Sequence, residues 1–565
     1  MKVIVVGGVA GGMSAATRLR RLDESARITV IERSGHVSFA NCGLPYHLGG
    51  VIEKRSSLLL QTPQSLAARF DIDVRIQHEV RTIDREHKRV SVRSLATDDT
   101  EWMDYDALVL SPGARPVLPP LPGIHLAYTL RDIEDLDTLI ASARDVGSAA
   151  VIGGGFIGIE LAENLVHRGI RTTVIEATHQ VMGPLDPEMV APVHDAMRQA
   201  GIDLILGETV TRLEPAPIHT TTDANDTLTS QPGLPTVHLS DGRVVEAGLI
   251  IAAIGVRPER ILAEEAGLEI GARGGIAVDD QLRTSDPSIY AIGDAVEKRD
   301  GLDGSAVLVP LANTANRQGR VVADIIAGRP GRDRPVLGTA IVGAFGLSLA
   351  AVGWNEKRLR SSGRAYRAIH THPGSHAGYY PGSHTMALKL LVDPDTDAIL
   401  GAQAVGRGGV DKRIDILATA MAGGLTAGDL ADLELAYAPQ FGSAKDPINM
   451  LGWVARNLDD GLVETIQWDE LDDALRDGAV LIDVRDRAEH AAHPIPGSLN
   501  VPLNDIRAGI ADLPDGELII HCEVGLRGYV AARILEQRGR HVRNLDGGHR
   551  TWRAGMASRS LEPST

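Results

Sequence analysis

The chain has 565 residues, 43% of them hydrophobic, which is enough for roughly three to four domains with separate cores. A formal net charge of −17 argues against a general nucleic-acid binder, and two cysteines are too few for a disulfide framework. No apolar run approaches the roughly 18 residues that cross a bilayer, and the N-terminus enters a strand without a signal-peptide pattern. We therefore expect a cytoplasmic protein with no nucleic acid, membrane or metal among its partners.

A strand, a glycine turn, a helix and a second strand follow one another at the start of the chain, and the same order returns later. Two such units predict two dinucleotide sites on parallel sheets. An apolar strand that ends at Gly255 closes the second unit. The predicted elements are 2–6, 7–12, 13–21 and 28–32 in the first unit, and 149–152, 153–158, 160–168 and 172–176 in the second.

The rest of the chain divides by its composition. Residues 214–235 are rich in Thr and Pro, which predicts an exposed hairpin or loop insertion. Residues 339–450 mix short strands, turns and helices and predict an α+β domain. Polar residues and glycine at 453–462 predict a linker, and the buried strands at 479–484 and 517–521 predict a small α/β domain beyond it.

The first glycine turn is Gly7-Gly8-Val9-Ala10-Gly11-Gly12, in which Val9 replaces the middle glycine of GxGxxG. Gly8 and Gly11 still let a pyrophosphate approach the backbone at a helix N-terminus. Glu32, followed by Arg33, ends the second strand, where a carboxylate can bind an adenosine ribose. The residues predicted to contact the first cofactor here are Gly7, Gly8, Ala10, Gly11, Glu32 and Arg33.

A second motif far along the chain identifies the kind of nucleotide. Gly293-Asp294 follows a strand, and a carboxylate in that place commonly holds the ribityl–phosphate part of a flavin. The two distant motifs together point to FAD.

The second glycine turn satisfies GxGxxG with Gly153, Gly155 and Gly158. Glu176 ends the following strand, and its charge favours a free 2′-hydroxyl over a 2′-phosphate. NADH is therefore preferred, although Arg171 and His179 lie nearby in sequence and keep NADPH open.

On these motifs, and on the segments 108–114, 254–258 and 284–294, residues 1–450 resemble the pyridine nucleotide–disulfide reductase family. The resemblance implies a homodimer in which FAD lies between the nicotinamide and a cysteine site, with Val80 and Arg131 also contacting the flavin. It implies an FAD-binding domain at 1–110 and 250–325, an NAD(P)H-binding domain at 111–249, and an α+β dimerisation domain at 330–452. The two nucleotide-binding domains are of the Rossmann-like α/β type.

Cys42 takes the place of the redox cysteine pair that ordinary members of this family carry. The second position of CxxxxC is His47, so the chain resembles the single-cysteine members. These are coenzyme A disulfide reductases, in which Cys42 would form a mixed disulfide with coenzyme A, or NADH oxidases and peroxidases, in which it would become a sulfenic acid. Pro45 predicts a helix N-terminus next to Cys42, where the dipole lowers a thiol pKa.

Three features favour coenzyme A as the bound substrate. Ser14, Arg18 and Arg21 share a helical face that can meet a phosphate, although a solvated arginine face explains the spacing equally well. The segment 436–447 resembles one in coenzyme A disulfide reductases, which implies a catalytic tyrosine at Tyr437 and a nucleotide-binding lysine at Lys445. The segment 376–382 implies a second tyrosine, Tyr379 or Tyr380, as a proton donor to a departing thiolate. Ser38 and Asn41 flank Cys42 and complete the predicted substrate-binding set.

Cys522 lies in a C-terminal stretch that resembles a rhodanese domain, expected at 463–560. The resemblance rests on the segments 481–485, 495–502 and 545–552. The loop from Cys522 to Arg527 has the length that curls backbone N–H groups around a sulfur atom, and Arg527 adds positive charge.

The sequence thus predicts FAD-dependent reduction, by NAD(P)H, of coenzyme A disulfide, coenzyme A persulfide or polysulfide at Cys42. Sulfane sulfur would be handled at Cys522, and thiol and hydrogen sulfide would be released. An NADH oxidase or peroxidase, and a sulfur-trafficking or redox-sensing protein, remain the alternatives.

Overall fold

The computed structural model describes residues 1–216, 218–222 and 228–561, with the backbone alone for 218–222, 228–232 and Ala511. These residues form two compact units: 1–177 with 201–338, and 178–200 with 339 onward. Among the described residues, no helix combines the length and the apolar character needed to span a bilayer.

The N-terminal residues of the first unit begin a parallel sheet. β1 lies between β2 and β7, and β3 pairs with the outer side of β2. Val3, Val5, Ile28 and Val30 are buried between this sheet and its helices. The elements are β1 Lys2–Val6, α1 Ala10–Arg20, β2 Arg27–Glu32, α2 Leu44–Leu48, α3 Pro63–Phe70, β3 Ile72–Ile76, β4 His78–Asp84, β5 Arg89–Ser94, β6 Thr100–Asp104 and β7 Ala107–Leu110.

A second parallel sheet follows, with the strand order β11-β10-β9-β17. The predicted insertion forms an antiparallel pair, β13 with β14, so the hairpin is confirmed; residues 223–227 lie outside the described chain. The elements are β8 Ala114–Pro116, α4 Ile133–Ser142, β9 Ser148–Ile152, α5 Phe156–His167, β10 Arg171–Glu176, α6 Pro187–Gln199, β11 Asp203–Leu206, β12 Val210–Glu214, β13 Ile218–Thr222, β14 Leu228–Pro232, β15 Thr236–Leu239, β16 Val244–Glu246, β17 Leu249–Ala252 and β18 Val256–Pro258.

The last part of the first unit returns to the first sheet. β19 pairs with β7, and α8 packs against α1 so closely that a methyl group at Gly319 would lie 2.4 Å from the carbonyl oxygen of Gly11. The elements are α7 Ile261–Glu265, β19 Ile289–Ala291, β20 Lys298–Arg299, β21 Ala306–Val307 and α8 Ala312–Ile326.

Both nucleotide-unit helices begin earlier than the sequence suggests. α1 starts at Ala10 rather than residue 13, and α5 starts at Phe156 rather than residue 160. The glycines of each motif therefore form the first turn of the helix, which brings the phosphate-binding backbone to the helix N-terminus itself.

The second unit contains an antiparallel sheet with the strand order β22-β23-β26-β25-β24. Its buried residues include Leu349, Leu390 and Ala402. The elements are β22 Ala340–Ala344, β23 Leu347–Gly353, α9 Glu356–Ser362, β24 Arg367–Thr371, β25 Met386–Val392, β26 Ile399–Gly406, α10 Val410–Gly423 and α11 Pro447–Asp459.

The predicted linker at 453–462 is wrong for most of its length, because α11 continues to Asp459. Asp446 accepts a hydrogen bond from the N–H of Ile448 and caps the helix, and Pro447 occupies its first position. Leu451 and Ala455 are buried, so the polar residues that suggested a linker are the solvent face of an amphipathic helix.

The C-terminal part of the second unit is a parallel sheet with the strand order β27-β31-β30-β28-β29. Its last helix packs against α6, and the Ser558 hydroxyl donates to the carbonyl of Pro187 at 2.8 Å. The elements are β27 Glu464–Ile466, α12 Leu471–Arg476, β28 Val480–Asp483, α13 Arg487–Ala492, β29 Leu499–Asn500, α14 Ile506–Gly509, β30 Leu518–His521, α15 Leu526–Glu536, β31 Val542–Leu545 and α16 Gly548–Arg559.

Candidate active sites

The first glycine turn forms a tight cradle at the end of β1. Gly7 has a φ of +99°, and a methyl group there would lie 2.1 Å from the carbonyl oxygen of Ser111. A methyl group at Gly12 would lie 1.9 Å from the carbonyl oxygen of Gly7, so α1 can approach the strand only because both are glycine. The carboxylate of Glu32 accepts the Gly8 N–H at 2.7 Å, and burial raises the pKa of Glu32.

Ala10 and Gly11 are the first residues of α1, next to the glycine turn. Two other residues predicted to contact the cofactor, Val80 and Arg33, are not part of this turn. The Val80 side chain is buried in the hydrophobic core, which leaves its backbone for a cofactor contact. Arg33 is about half exposed and lies 4.0 Å from Glu79.

Asp294 supplies a carboxylate that fits a hydroxylated ligand. It follows β19 and Gly293, whose N–H donates to Gln318 at 2.8 Å. Among the described residues, none offers a hydrogen bond to its buried Oδ1, and burial raises the pKa of Asp294 against the attraction of Lys298 and Arg131. Together with the glycine cradle, this orphaned oxygen fits the ribityl chain and pyrophosphate of FAD.

Lys298 and Arg131 are the cations of this region. The Lys298 ammonium donates to the carbonyls of Gly293 and Val309, and burial lowers its pKa to about 8. Arg131 donates to the carbonyl of Pro112 at 2.9 Å. Sequence reasoning missed Lys298, which has no motif of its own and is found only by its contact with Gly293.

The second glycine turn repeats the geometry of the first. Gly153 has a φ of +109°, and a methyl group at Gly158 would lie 2.0 Å from its carbonyl oxygen. Glu176 accepts the Gly154 N–H at 2.7 Å, as Glu32 does in the first cradle. Gly155 caps α5, and a methyl group there would meet nothing within 4 Å, so the helix N-terminus is open to a nucleotide phosphate.

Cys42 lies in a 3₁₀ turn, Asn41–Gly43, directly before α2, so its predicted place near a helix N-terminus is confirmed. The direction predicted for its pKa is wrong. Desolvation by the surrounding protein, followed by the carboxylates of Glu160 and Asp294, raises the pKa of Cys42. α2 has only five residues, which is too short for a strong dipole to offset two carboxylates.

The residues around Cys42 tie it to the first cradle. Cys42 is exposed as a residue, although neighbouring protein partly desolvates its thiol. The Asn41 side-chain oxygen accepts the Cys42 N–H at 3.1 Å and lies 3.8 Å from the sulfur. Ser38 donates its N–H to the carbonyl of Gly8 at 2.7 Å and has a φ of +49°.

Two further residues beside Cys42, Tyr46 and Glu160, were missed by sequence reasoning. The Tyr46 hydroxyl donates to Glu160 at 2.9 Å, and Arg168 donates to the carbonyl of Leu48 at 3.0 Å, so α2 is tied to α5 of the second nucleotide motif. Burial and the Glu160 charge raise the pKa of Tyr46. Glu160 lies near the start of α5, just after the second GxGxxG motif. That position was the only feature of the sequence that pointed to it.

The predicted coenzyme A residues of α1 already have protein partners. The Ser14 hydroxyl donates to Asn316 at 2.5 Å, and the Arg18 guanidinium binds Asp324 through two nitrogens at 2.7 and 3.1 Å. Arg21 is exposed at the C-cap of the helix.

Tyr379 and Tyr437 of the second unit are brought together. Their hydroxyl oxygens are 2.7 Å apart, both side chains are exposed, and their hydrogen bond raises the pKa of Tyr437. Lys445 is exposed in the same loop as Tyr437.

The loop that carries Tyr437 is anchored by three residues that sequence reasoning missed. Lys412 donates to the carbonyl of Ala436 at 3.3 Å and lies 3.4 Å from Asp446. The buried Arg413 binds the same carboxylate at 3.0 Å.

Cys522 is buried at the end of β30, where its loop turns into α15. The Gly525 N–H donates to its sulfur at 3.2 Å, and Gly525 has a φ of +95°. Arg527, in the first turn of α15, binds both carboxylate oxygens of Glu489 at 2.7 Å. Sulfur therefore lies at a helix N-terminus with an N–H directed at it, as the sequence predicts.

Ion pairs connect the Cys522 loop to charged residues of neighbouring segments. Arg485 binds Asp483 at 2.8 Å and Glu523 at 3.3 Å. The imidazole of His549, 3.5 Å from the Glu523 carboxylate, helps to hold the pKa of Glu523 at about 2, and burial lowers the pKa of His521 to about 4. The Glu523 carboxylate is thus paired with cations of neighbouring segments.

An acidic group in the second unit has the spacing of a metal site, namely Asp186, Glu188 and Glu356. The ammonium of the fully buried Lys389 lies among them, 2.9 Å from Asp186, 2.8 Å from Glu356 and in contact with Glu188. This lysine is the cation of the group.

These features define a flavin- and pyridine-nucleotide-dependent oxidoreductase with a further small α/β domain that carries a cysteine at a helix N-terminus. The chain belongs to the pyridine nucleotide-disulphide oxidoreductase family, whose model matches residues 1–319. The dimerisation domain of that family matches residues 333–446, and a rhodanese-like domain matches residues 467–555. Family, fold class and enzyme class are thus as the sequence predicts, and the family implies FAD and NAD(P)H as cofactors.

Among individual proteins, the chain is similar to the coenzyme A disulfide reductase of Staphylococcus aureus (strain bovine RF122 / ET3-1). The two are 35% identical over 458 residues, which cover 80% of this chain and 100% of the relative. The reduced CoADR-RHD of Bacillus anthracis superposes with a TM-score of 0.93 at 44% identity, covering 99% of this chain and 98% of the other. The NAD-dependent persulfide reductase from A. fulgidus gives 0.89 at 35% identity, covering 98% and 100%.

Proposed function

We propose that this chain uses NAD(P)H to reduce coenzyme A persulfide, coenzyme A disulfide or polysulfide at Cys42, and that it handles sulfane sulfur at Cys522. For the persulfide, one NADH and one proton convert one molecule of substrate to coenzyme A thiol, hydrogen sulfide and NAD⁺. The names of the similar proteins, a coenzyme A disulfide reductase and a persulfide reductase, support this choice of substrates.

The observation that carries the proposal is that Cys42 and Cys522 are both free, each in its own site, in a chain with two cysteines. Since neither cysteine has a neighbouring thiol, the sulfur partner of each would come from a substrate or from the other cysteine site.

At Cys42 the thiolate attacks one sulfur of the substrate. Attack on the sulfur bound to coenzyme A expels hydrosulfide and leaves a mixed disulfide, and attack on the outer sulfur expels coenzyme A thiolate and leaves a Cys42 persulfide. Two electrons and a proton then restore the Cys42 thiolate and release the second thiol product.

Bound FAD would carry electrons from NAD(P)H to this sulfur bond. We assign its binding to Gly7, Gly8, Gly11, Glu32 and Asp294, with Ala10, Arg33, Val80, Arg131 and Gly293 at its periphery. Gly153, Gly155, Gly158 and Glu176 would bind the pyridine nucleotide. The Glu176 carboxylate at the Gly154 N–H favours NADH, because a 2′-phosphate would meet like charge.

Tyr379 and Tyr437 would supply the proton to the departing thiolate from a partner subunit of a homodimer. Their 2.7 Å hydrogen bond and their exposed positions on the domain that matches a dimerisation model support this role. Ser14, Arg18, Arg21, Ser38, Asn41 and Lys445 would bind coenzyme A. Arg18 would then bind coenzyme A and Asp324 with the same guanidinium.

We assign FAD binding to residues 1–110 and 250–325, NAD(P)H binding to 111–249, dimerisation to 330–452, and sulfur handling to 463–560. Segment 178–200, within the NAD(P)H range, packs with the C-terminal unit. At Cys522, the Gly525 N–H would stabilise both a thiolate and a persulfide, and Arg527 would shape the loop.

The test is turnover of the full-length flavoprotein with coenzyme A persulfide, coenzyme A disulfide, hydrogen peroxide and oxygen. We expect NADH oxidation to be fastest with a coenzyme A substrate, to be abolished by Cys42→Ser, and to release hydrogen sulfide from the persulfide. We expect Cys522→Ser to abolish persulfide exchange with thiosulfate while coenzyme A disulfide reduction continues. Fastest turnover with oxygen or peroxide, with Cys522→Ser silent in every assay, would show an oxidase or peroxidase instead.

A further inference from the structure

The turn 546–550, which joins β31 to α16, contacts the backbone of the Cys522 loop. The N–H of His549 donates to the carbonyl of Cys522 at 2.7 Å. A methyl group at Gly548, whose φ is +64°, would lie 2.5 Å from the same carbonyl oxygen and 2.8 Å from the amide nitrogen of Gly525. That amide is the one that donates to the sulfur, so a shift of the turn moves the sulfur-binding N–H.

Besides the Gln467 amide, which donates to Asp546 at 3.3 Å, the turn is held by a residue outside the rhodanese-like domain. The buried carboxylate of Asp546 accepts the backbone N–H of His370 at 3.0 Å and its Nδ1–H at 2.7 Å. His370 is on β24, in the antiparallel sheet, and its Nε2 lies 3.1 Å from Glu188 on α6. Both ring nitrogens meet carboxylates, so both must carry hydrogens.

The surroundings of His370 balance a positive charge. The cluster around it contains the buried carboxylates of Asp186, Glu188 and Asp546, the partly buried carboxylate of Glu356, the buried ammonium of Lys389 and the imidazole of His372. Two exposed cations, Lys357 and Arg360, lie at its edge, and Arg360 also contacts Asp469. Four carboxylates thus outnumber the one buried cation, Lys389, and a protonated His370 reduces the remaining negative charge. Burial opposes this protonation, but hydrogen bonds to Asp546 and Glu188 raise the pKa of His370 to about 9.

A second contact from the same strand reinforces the first. His372, two residues on, accepts or donates a hydrogen bond at 2.8 Å to Thr551, in the first turn of α16. Burial lowers the pKa of His372 to about 3, so this imidazole is neutral and adds no charge to the cluster.

We propose that His370, a residue of the dimerisation domain, is a positioning residue for sulfur transfer at Cys522. Its imidazolium holds Asp546 and thereby the turn that aims the Gly525 N–H at the sulfur. The proposal rests on the sulfur-handling role of Cys522 proposed above. It makes the geometry of the sulfur loop depend on a domain that lies outside the rhodanese-like sequence.

The test compares His370→Gln with His370→Asn in the full-length flavoprotein. The Asn side chain can place an N–H near the Nδ1 position and keep the side-chain bond to Asp546, whereas Gln reaches toward Glu188 and leaves only the backbone N–H of residue 370 on Asp546. The pH dependence of labelling by methyl methanethiosulfonate is followed at each cysteine by peptide mass, with Cys42 as the internal control. Sulfur transfer from thiosulfate to cyanide, which yields sulfite and thiocyanate, gives kcat and KM.

We expect His370→Gln to move the labelling midpoint of Cys522 to higher pH, to leave that of Cys42 unchanged, and to lower kcat for sulfur transfer roughly tenfold, as the loss of one hydrogen bond to a charged sulfur predicts. His370→Asn should recover part of both effects. An unchanged Cys522 midpoint in His370→Gln, with or without a lower melting temperature, overturns the proposal. The midpoint reports on the loop whether or not thiosulfate is a donor, so a wild-type protein without sulfur transfer counts against the proposed function alone.

Discussion

The charged groups that shift the pKa of the Cys42 thiol are carboxylates rather than cations. Glu160 and Asp294 both raise its pKa, in addition to desolvation, and Tyr46 is hydrogen-bonded to Glu160. A reactive cysteine usually has a cation or a strong helix dipole beside it. In the isolated chain, without a cofactor or a partner subunit, these groups favour the protonated form of the Cys42 thiol.

We therefore expect Glu160→Gln to lower the pKa of Cys42, because the substitution removes one negative charge and keeps the size of the side chain. The pKa is measured as the midpoint of the pH dependence of iodoacetamide labelling at the Cys42 peptide. Tyr46→Phe is the matched control, since it removes the hydrogen bond and leaves the Glu160 charge. A midpoint that stays in place in Glu160→Gln and moves in Tyr46→Phe would show that the phenol, not the carboxylate, controls the thiol.

At the scale of elements, two helices meet two strands with the same geometry. In each nucleotide-binding motif a glycine of the helix packs on the carbonyl of the glycine that ends the strand, Gly12 on Gly7 and Gly158 on Gly153. A side chain in either position would force the helix N-terminus away from the strand, and the phosphate-binding backbone is that N-terminus.

We expect Gly12→Ala to reduce the flavin content of the purified protein, because its methyl group would lie 1.9 Å from a carbonyl oxygen. Gly158→Ala, with a distance of 2.0 Å, should keep the flavin and raise the KM for NADH. Overpacking of this kind costs roughly 1–3 kcal/mol or more. Flavin absorbance and NADH kinetics measure the two effects.

Gly147→Ala serves as the control for this pair, since a methyl group there meets nothing within 4 Å. Equal loss of flavin in Gly12→Ala and Gly158→Ala would contradict the assignment of separate nucleotides to the two turns.

At the scale of the whole molecule, buried histidines in the second unit make stability depend on pH in both directions. His370 is protonated in the folded state, with a pKa of about 9 against 6.5 for an unperturbed histidine. Its contribution is fully present below pH 6.5 and is lost as the pH rises through 9. His372 and His194 are buried and neutral, with pKa values lowered to about 3 and about 4. For these two the unfolded chain binds the proton more tightly, so stability falls as the pH drops below 6.5.

We expect the melting temperature to be highest near pH 6.5 and to fall on both sides, as measured by calorimetry at constant ionic strength. Asp546→Asn should bring the alkaline fall to lower pH, because it removes a carboxylate that holds the His370 proton. His541→Gln, at an exposed histidine of the rhodanese-like domain, should leave the curve unchanged. A melting temperature that rises from pH 6.5 to 9 in the wild-type chain would contradict a protonated His370.

Short sequence patterns predicted those features of the structure whose physical causes lie within a short stretch of the chain. The glycine turns with a carboxylate one strand later predicted both cradles, and Glu32 and Glu176 each accept the N–H of the turn's second glycine. The length of the Cys522 loop predicted an N–H at the sulfur. The linker at 453–462 failed because composition alone does not separate a polar loop from the solvent face of α11.

The sequence by itself determined the family, the order of the domains and the presence of one cysteine in each of two sites, since motif spacing and strand periodicity record them directly. Only the tertiary structure decided how acidic Cys42 is, which residues anchor the Tyr437 loop, and that His370 reaches Asp546 across 176 positions of the chain. Such pairs depend on burial and on charges that distant segments bring together, and electrostatic interactions strengthen as water is excluded. No local pattern of residues carries that information.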